Sequence, residues 1–310
     1  MTVIVEIIAP IFGIVLVGWL AARLRAFDEA ATRGLSLFAF NFAIPIMLLR
    51  TLARAELPAQ PEWELVLAYF AGAGLVFACA AISARRLFAR TGAAPAIFGI
   101  SAAFSNTIIL GIPIVLRAFG EDAAVPLSLI VAFHSALIFT LTTVVAEIGA
   151  GGEAHWHGTL RNVGRGLVSN PILWGIGAGL AINFAGQALP STVDQFAATL
   201  GGAALPAALF ALGANLSRFR LGHSLREAAL LSALKIVLQP VLVYLLAAHL
   251  LGLGPMSLAV AVTIAALPTG INAYLFAARY ETAVPEATST ILLSTLLSTL
   301  TLGFLLMVLR

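Results

Sequence analysis

Ser105, Asn106 and Thr107 stand together near the middle of an apolar stretch running from about Pro95 to Leu116. Three adjacent polar residues at that depth are foreign to an ordinary membrane span. Gly111 and Pro113 follow within two turns. A proline lacks the N–H that a helix needs and crowds the turn before it. Backbone opened inside a bilayer survives only where protein buries it or where it lines a wet cavity. A second stretch has the same character: Pro268, Thr269, Gly270 and Asn272 interrupt the apolar residues from about Met256 to Ala278. Such residues can hold an anion without carrying a charge of their own. An asparagine amide offers two donors and an acceptor, and N–H groups at the start of a half-helix carry partial positive charge. Asn106 and Asn272 are therefore the candidate contacts to a carboxylate, with Ser105, Thr107, Thr269 and Gly270 beside them. Gly111, Pro113 and Pro268 are read as the helix breakers. The competing reading makes each asparagine a cap for backbone that a nearby proline releases, and lets the hydroxyls bond a carbonyl one turn back.

Three further residues are candidates. Asn41 stands four residues before Pro45; it either bonds the backbone this proline leaves free or faces the binding pocket. Lys235, the one lysine of the chain, lies inside an apolar span. An ionisable group there is a functional candidate, here as counter-charge to an anion or as a coupling group, unless its long stem carries the ammonium to the interface. His134 lies near the middle of another span; it either relays a proton or is a neutral ring bonded to a neighbouring helix. No aspartate or glutamate lies deep in a span, since Glu6, Glu147 and Asp194 all fall near ends. A bound coupling cation usually needs such a carboxylate, so sodium coupling is disfavoured. His155 and His157 belong to a loop and carry no expectation.

The elements that must hold these residues are membrane helices. The 310 residues are 61% hydrophobic and 10% charged, with a mean hydropathy of +1.03, far from a soluble domain. Ten apolar spans can be drawn at roughly 3–22, 34–53, 63–84, 95–118, 123–147, 168–186, 195–216, 226–251, 256–278 and 285–309, most of them long enough to cross a bilayer. The longest connection, 149–166, is linker-like and contains Arg161 and Arg165. It divides the chain into residues 1–148 and 167–310, five spans each.

Alternating the loops puts Arg23, Arg25, Arg33, Arg85, Arg86, Arg90, Arg161, Arg165, Arg218, Arg220, Arg226 and Arg279 on one side, and Arg50, Arg54, Arg117 and Arg310 on the other. The arginine-rich side is cytoplasmic, which makes 149–166 a cytoplasmic linker and leaves both termini outside. Five spans per half requires the halves to be inverted relative to one another. Ala9–Ile14 pairs weakly with Asn170–Ile176, and Pro45 with Pro206. Two interrupted spans in corresponding positions of two halves are the sequence mark of a transporter site.

Other classes are disfavoured. The arginines form no basic stripe for nucleic acid. Cys79, the single cysteine, belongs to no disulfide or metal pattern. Glu6 before the first apolar run, and Arg23 and Arg25 after it, reverse the order of a signal peptide. Catalytic motifs such as H-E-x-x-H and G-x-S-x-G are absent, and no cofactor is expected.

The ten-span layout, S-N-T-I-I-L-G-I-P at Ser105–Pro113, P-T-G-I-N-A-Y at Pro268–Tyr274 and N-F-A-I-P at Asn41–Pro45 together resemble the auxin efflux carrier family, and most closely its bacterial malonate-type members. The resemblance covers nearly the whole chain. It implies an all-α membrane protein of ten transmembrane helices in two inverted five-helix repeats, whose fourth and ninth helices are broken and cross near the midplane. It implies a scaffold from spans 1, 2, 6 and 7 and an elevator-like core from spans 3–5 and 8–10. It also implies a homodimer in the inner membrane whose substrate is a small mono- or dicarboxylate. The short linker lacks the room for the long regulatory loop of plant members. The other readings are a sodium-coupled organic-anion symporter of the bile-acid carrier type and a membrane sensor without transport.

Overall fold

The computed structural model describes residues 8–57, 62–150, 168–219 and 224–309. Glu6, His155, His157, Arg161, Arg165, Arg220, Arg310 and all of the linker except Gly149 and Ala150 lie outside them. The described residues form helices and no strand. In order these are α1 (Ala9–Arg23), α2 (Glu29–Arg54), α3 (Trp63–Arg86), α4 (Ala94–Ala103), α5 (Thr107–Phe119), α6 (Glu121–Gly149), α7 (Pro171–Phe184), α8 (Ser191–Leu216), α9 (Leu225–Leu250), α10 (Pro255–Ala265), α11 (Asn272–Arg279) and α12 (Val284–Leu309). Six of them (α2, α3, α6, α8, α9 and α12) are long and apolar enough to cross a membrane. α1, α4, α5, α7 and α10 are shorter apolar helices. Large apolar side chains such as Leu16, Leu296, Leu300 and Phe304 stand exposed on the outside, the surface a bilayer would solvate.

Local chemistry sets several boundaries. α2 begins at Glu29, five residues before the expected span, because Asp28 caps it: its Oδ1 accepts the Ala31 N–H at 2.7 Å. The polar first turn is helical without being apolar, so hydropathy alone misses it. α7 starts at Pro171, where a missing N–H costs nothing, behind Asn170, whose Oδ1 accepts from Ile172 at 3.0 Å. Pro45, Pro113 and Pro240 each sit two residues beyond a five-residue π-turn, at Ala39–Ala43, Thr107–Gly111 and Leu234–Leu238. The wider turn makes room for a ring that would otherwise collide with the preceding carbonyl. Pro206 acts differently: α8 is interrupted at Ala203, between Ser191–Gly202 and Ala204–Leu216.

The helices pack in two groups. α1 lies along the second half of α8, while α2 packs on α7 and on the first half of α8. Glycines allow these approaches. A methyl on Gly213 would stand 1.8 Å from the Val15 carbonyl oxygen, and one on Gly175 would stand 2.3 Å from that of Pro45. In the other group α3 packs on α4 and α9, α4 on α6, α9 on α10 and α12, and α11 on α12. The groups meet where α8 touches the start of α5 and where α6 touches α2 and α7.

Candidate functional site

Between α4 and α5 the chain is non-helical at residues 104–106, and between α10 and α11 the helix is again broken. The two breaks cross and pair. Ser105 and Thr269 form an isolated antiparallel bridge. The Asn106 N–H donates to the Pro268 carbonyl at 2.9 Å, and the Gly270 N–H donates to the Phe104 carbonyl at 3.0 Å. The exchange is reciprocal: each break supplies one donor and one acceptor to the other. Gly270 is required by its closeness to Phe104, because a methyl there would lie 2.7 Å from the ring.

Buried backbone must find a partner for every N–H and carbonyl, and side chains from four neighbouring helices supply what the bridge leaves open. Thr269 Oγ1 donates to the Ser101 carbonyl at 2.6 Å, and the Thr269 N–H donates to Ser294 Oγ of α12 at 3.1 Å. Lys235 Nζ donates to the Ala265 carbonyl, the last of α10, at 2.6 Å. Gln239 Nε2 donates to the Ala103 carbonyl, the last of α4, at 3.2 Å. His134 Nε2 lies 3.2 Å from the Ser105 carbonyl, so the ring donates there as the Nε2–H tautomer. Tyr69 of α3 donates from its hydroxyl to Ser105 Oγ at 3.0 Å and lies 3.4 Å from His134 Nδ1. The imidazole also packs on Phe104, with centroids 4.5 Å apart.

The expected site residues therefore divide. Ser105, Thr269, Gly270 and His134 are brought together at the crossover and are engaged in holding it. Lys235 is fully buried; it does not snorkel, and its ammonium is spent on a helix end. Gly111 and Pro113 lie beyond the break, in the π-turn and the helix that resumes after it. A methyl on Gly111 would meet the Leu267 side chain at 2.8 Å, so this glycine packs against the partner break. Pro268 lies inside the break, three residues past the end of α10, and its carbonyl accepts the Asn106 N–H. Asn41 is exposed in the α2 π-turn and bonded to none of the described residues.

Asn106 and Asn272 stand apart from these. Asn106 directly precedes the π-turn of α5, and Asn272 opens α11. Neither side-chain amide hydrogen-bonds another described residue, although Asn106 is only 6% exposed. Thr107, beside Asn106, is also buried with no bond from its hydroxyl to a described residue. Two half-helix beginnings thus converge with uncommitted amides, an arrangement suited to an anion.

Tyr69, Gln239, Ser101 and Ser294 complete the crossover and were not singled out from sequence. The pair Lys235 and Gln239, polar and four residues apart before Pro240, was the available signal. A cleft of about 340 Å³ opens elsewhere between the two helix groups, lined among others by Arg50 and Thr51 of α2, Arg117 at the end of α5, Glu121 and Gly201. Arg50 Nε lies 2.9 Å from Asp194 Oδ1, whereas Arg117 is exposed and makes no ion pair among the described residues.

A family model described as membrane transport protein matches residues 3–306. A Rhizobium meliloti protein named provisionally as a malonate transporter is 30% identical over 100% of this chain and 97% of its own length. An uncharacterised transporter of Methanothermobacter thermautotrophicus is 26% identical over 96% of this chain and 95% of its own length. Auxin efflux carrier component 8 of Arabidopsis thaliana is 26% identical over 93% of this chain and 92% of its own length.

Proposed function

The chain belongs to the membrane transport protein family, which includes the auxin efflux carriers, and on that premise we propose that it is a secondary carrier of small mono- or dicarboxylates. The observation that carries the proposal is the contrast at the crossover. Ser105, Thr269, His134, Lys235 and Tyr69 are each hydrogen-bonded to backbone or to a neighbouring side chain, while the amides of Asn106 and Asn272 bond no described residue beside two half-helix starts. A carboxylate placed between them would receive amide donors and the favourable end of each helix dipole. An uncharged site also allows release, because the anion leaves no buried counter-charge behind.

In this reading the two breaks are equivalent positions of an inverted five-plus-five repeat. The reciprocal bridge at Ser105 and Thr269 supports that equivalence. So does the packing, since the α1–α8 and α2–α7 contacts exchange when the halves are swapped. α1, α2, α7 and α8 form the scaffold, and the remaining helices form a core that moves past it, carrying the crossover between the two sides. The cleft beside Arg50 and Arg117 is the outward route, on the side opposite most of the arginines. The carrier resides in the inner membrane with both termini outside the cytoplasm, as a homodimer joined through α2 and α8.

The test is counterflow in proteoliposomes. Vesicles preloaded with malonate, succinate or acetate should accelerate uptake of the labelled same anion, with saturation. A channel would show no acceleration by substrate on the far side, and a sensor would move nothing.

A further inference from the structure

Scaffold and core touch at one end of the molecule and part at the other. At the end that carries Arg218 and Arg279, Phe219 after α8 packs on Tyr274 of α11 with ring centroids 5.2 Å apart. At the opposite end the cleft of about 340 Å³ lies between α8 and the last turn of α5. Farther in, the second half of α8 touches α5 at Thr107–Gly111, which floors the cleft on the side of the crossover. The charges in it are unevenly paired. On the scaffold wall Arg50 Nη2 donates to Asp194 Oδ2 at 3.2 Å, and Arg54 Nη1 lies 3.4 Å from Asp194 Oδ1. One carboxylate thus serves two guanidinium groups, and this wall keeps an excess of positive charge. On the core wall Arg117 is exposed and makes no ion pair among the described residues, although Glu121 also lines the cleft. An arginine fork holds a carboxylate through two parallel N–H donors, and the apolar walls of a cleft focus its field. Asn106 and Arg117 stand near opposite ends of α5, roughly 16 Å apart at the rise of a helix. A dicarboxylate the size of malonate or succinate is far shorter and cannot meet both.

We propose that the cleft is a second anion site, in which Arg117 of the core, backed by Arg50 of the scaffold, holds a small carboxylate before it reaches the crossover. The proposal rests on the carrier reading above for the class of its ligand, and not on the two asparagines. Glu121 works against the site and sets its affinity below what two arginines alone would give.

The test places a reporter in the cleft wall. Ala198 is exposed there. Ala198→Cys, in a Cys79→Ser background, is labelled with anionic and cationic methanethiosulfonate reagents of similar size, in the full chain purified in an uncharged detergent. Arg117→Gln should lower the ratio of anionic to cationic rates about threefold, the scale of one nearby charge in screened solvent. Glu121→Gln should raise it. Malonate, compared with chloride at equal ionic strength, should slow the labelling saturably. Arg117→Gln should then need about tenfold more malonate, the loss of one charge-assisted hydrogen bond, whereas Asn106→Ala should need no more. Arg117→Lys should keep the rate ratio and lose part of the protection, because an ammonium lacks the fork. An unchanged ratio in Arg117→Gln would reduce the arginine to a complement of the α5 dipole and overturn the site. Protection lost in Asn106→Ala but kept in Arg117→Gln would also overturn it, leaving the cleft a mere passage to the crossover. If Ala198→Cys does not fold, Gly202→Cys replaces it, since a side chain there has open space. No step reads transport, so a failure of the carrier reading shows in counterflow and leaves these rates as they are.

Discussion

Asn106→Ala removes an amide that bonds no described residue, so its effect separates binding from folding. Loss of one hydrogen bond to a charged ligand should weaken carboxylate binding by about 1.5–3 kcal/mol, tenfold or more in Kd. The melting temperature should move little. Asn272→Ala should behave the same way, and the double variant should fall short of additivity if both amides meet one carboxylate. Asn106→Asp places a second negative charge beside the anion and should cost more than alanine. The repulsion raises the aspartate pKa above its ordinary value, so binding should return as pH falls and the new carboxyl protonates. Titration calorimetry on purified variants reads all of this. Thr269→Val gives the opposite pattern. It deletes the donor to the Ser101 carbonyl and should lower stability by about 1–3 kcal/mol, with thermal melting as the readout. If Asn106→Ala melted low and bound normally, the amide would be a cap and the anion would sit elsewhere.

At the scale of the helices, close approach decides what is tolerated. Gly18 and Gly213 let α1 and α8 touch backbone to backbone: a methyl on the first would meet the Phe210 carbonyl oxygen at 2.1 Å, and one on the second that of Val15 at 1.8 Å. Neither atom belongs to a flexible side chain that could move aside. Gly213→Ala should therefore force the helices apart and cost about 1–3 kcal/mol. Gly13→Ala, with nothing within 4 Å, should be neutral or stabilising by up to about 1 kcal/mol. Comparing the two melts removes the common effect of helix propensity. At the crossover Gly270→Ala presses on the Phe104 ring. It should reduce transport more than stability if the bridge aligns the two half-helix starts, and counterflow beside melting checks this. Of the small residues in α8, Gly201 packs on Met47 of α2, and Ala204 and Ala208 are buried. Gly202 has open space around it and lines the cleft between the two helix groups.

For the whole molecule, the arginine distribution predicts orientation. A reporter inserted after Ala150 should be active only if it works in the cytoplasm, and one fused at the C-terminal end only if it works outside. The reverse pattern would sink the orientation and, with it, the outward assignment of the cleft. A cysteine at Arg117, in a Cys79→Ser background, should react with an impermeant thiol reagent added from outside, and a transported anion should change the rate if the core moves past the scaffold. Mass measurement in mild detergent tests the homodimer, where a monomer alone would count against it. Membership of a transport family already separates the chain from enzymes.

Taken alone, the amino-acid sequence determined the helical class, the bilayer setting, the approximate limits of the helices and the two broken segments. Each is a local property. Apolar runs must be about as long as the bilayer is thick, and proline, glycine and clustered polar residues interrupt a helix wherever they stand. The sequence also marked Asn106, Asn272, Ser105, Thr269, His134 and Lys235 as exceptional, because polar groups are costly in apolar surroundings. Which of them are free was decided only by tertiary structure. Thr269 meets the Ser101 carbonyl from 168 residues away, and Lys235 turns to the end of α10 rather than to solvent or substrate. Tyr69 and Gln239 became part of the crossover through the same long-range pairing. A polar side chain in a membrane span can bind a ligand or satisfy backbone that a break has released. Its type and spacing are the same in both cases, and only the position of the released carbonyls and N–H groups distinguishes them.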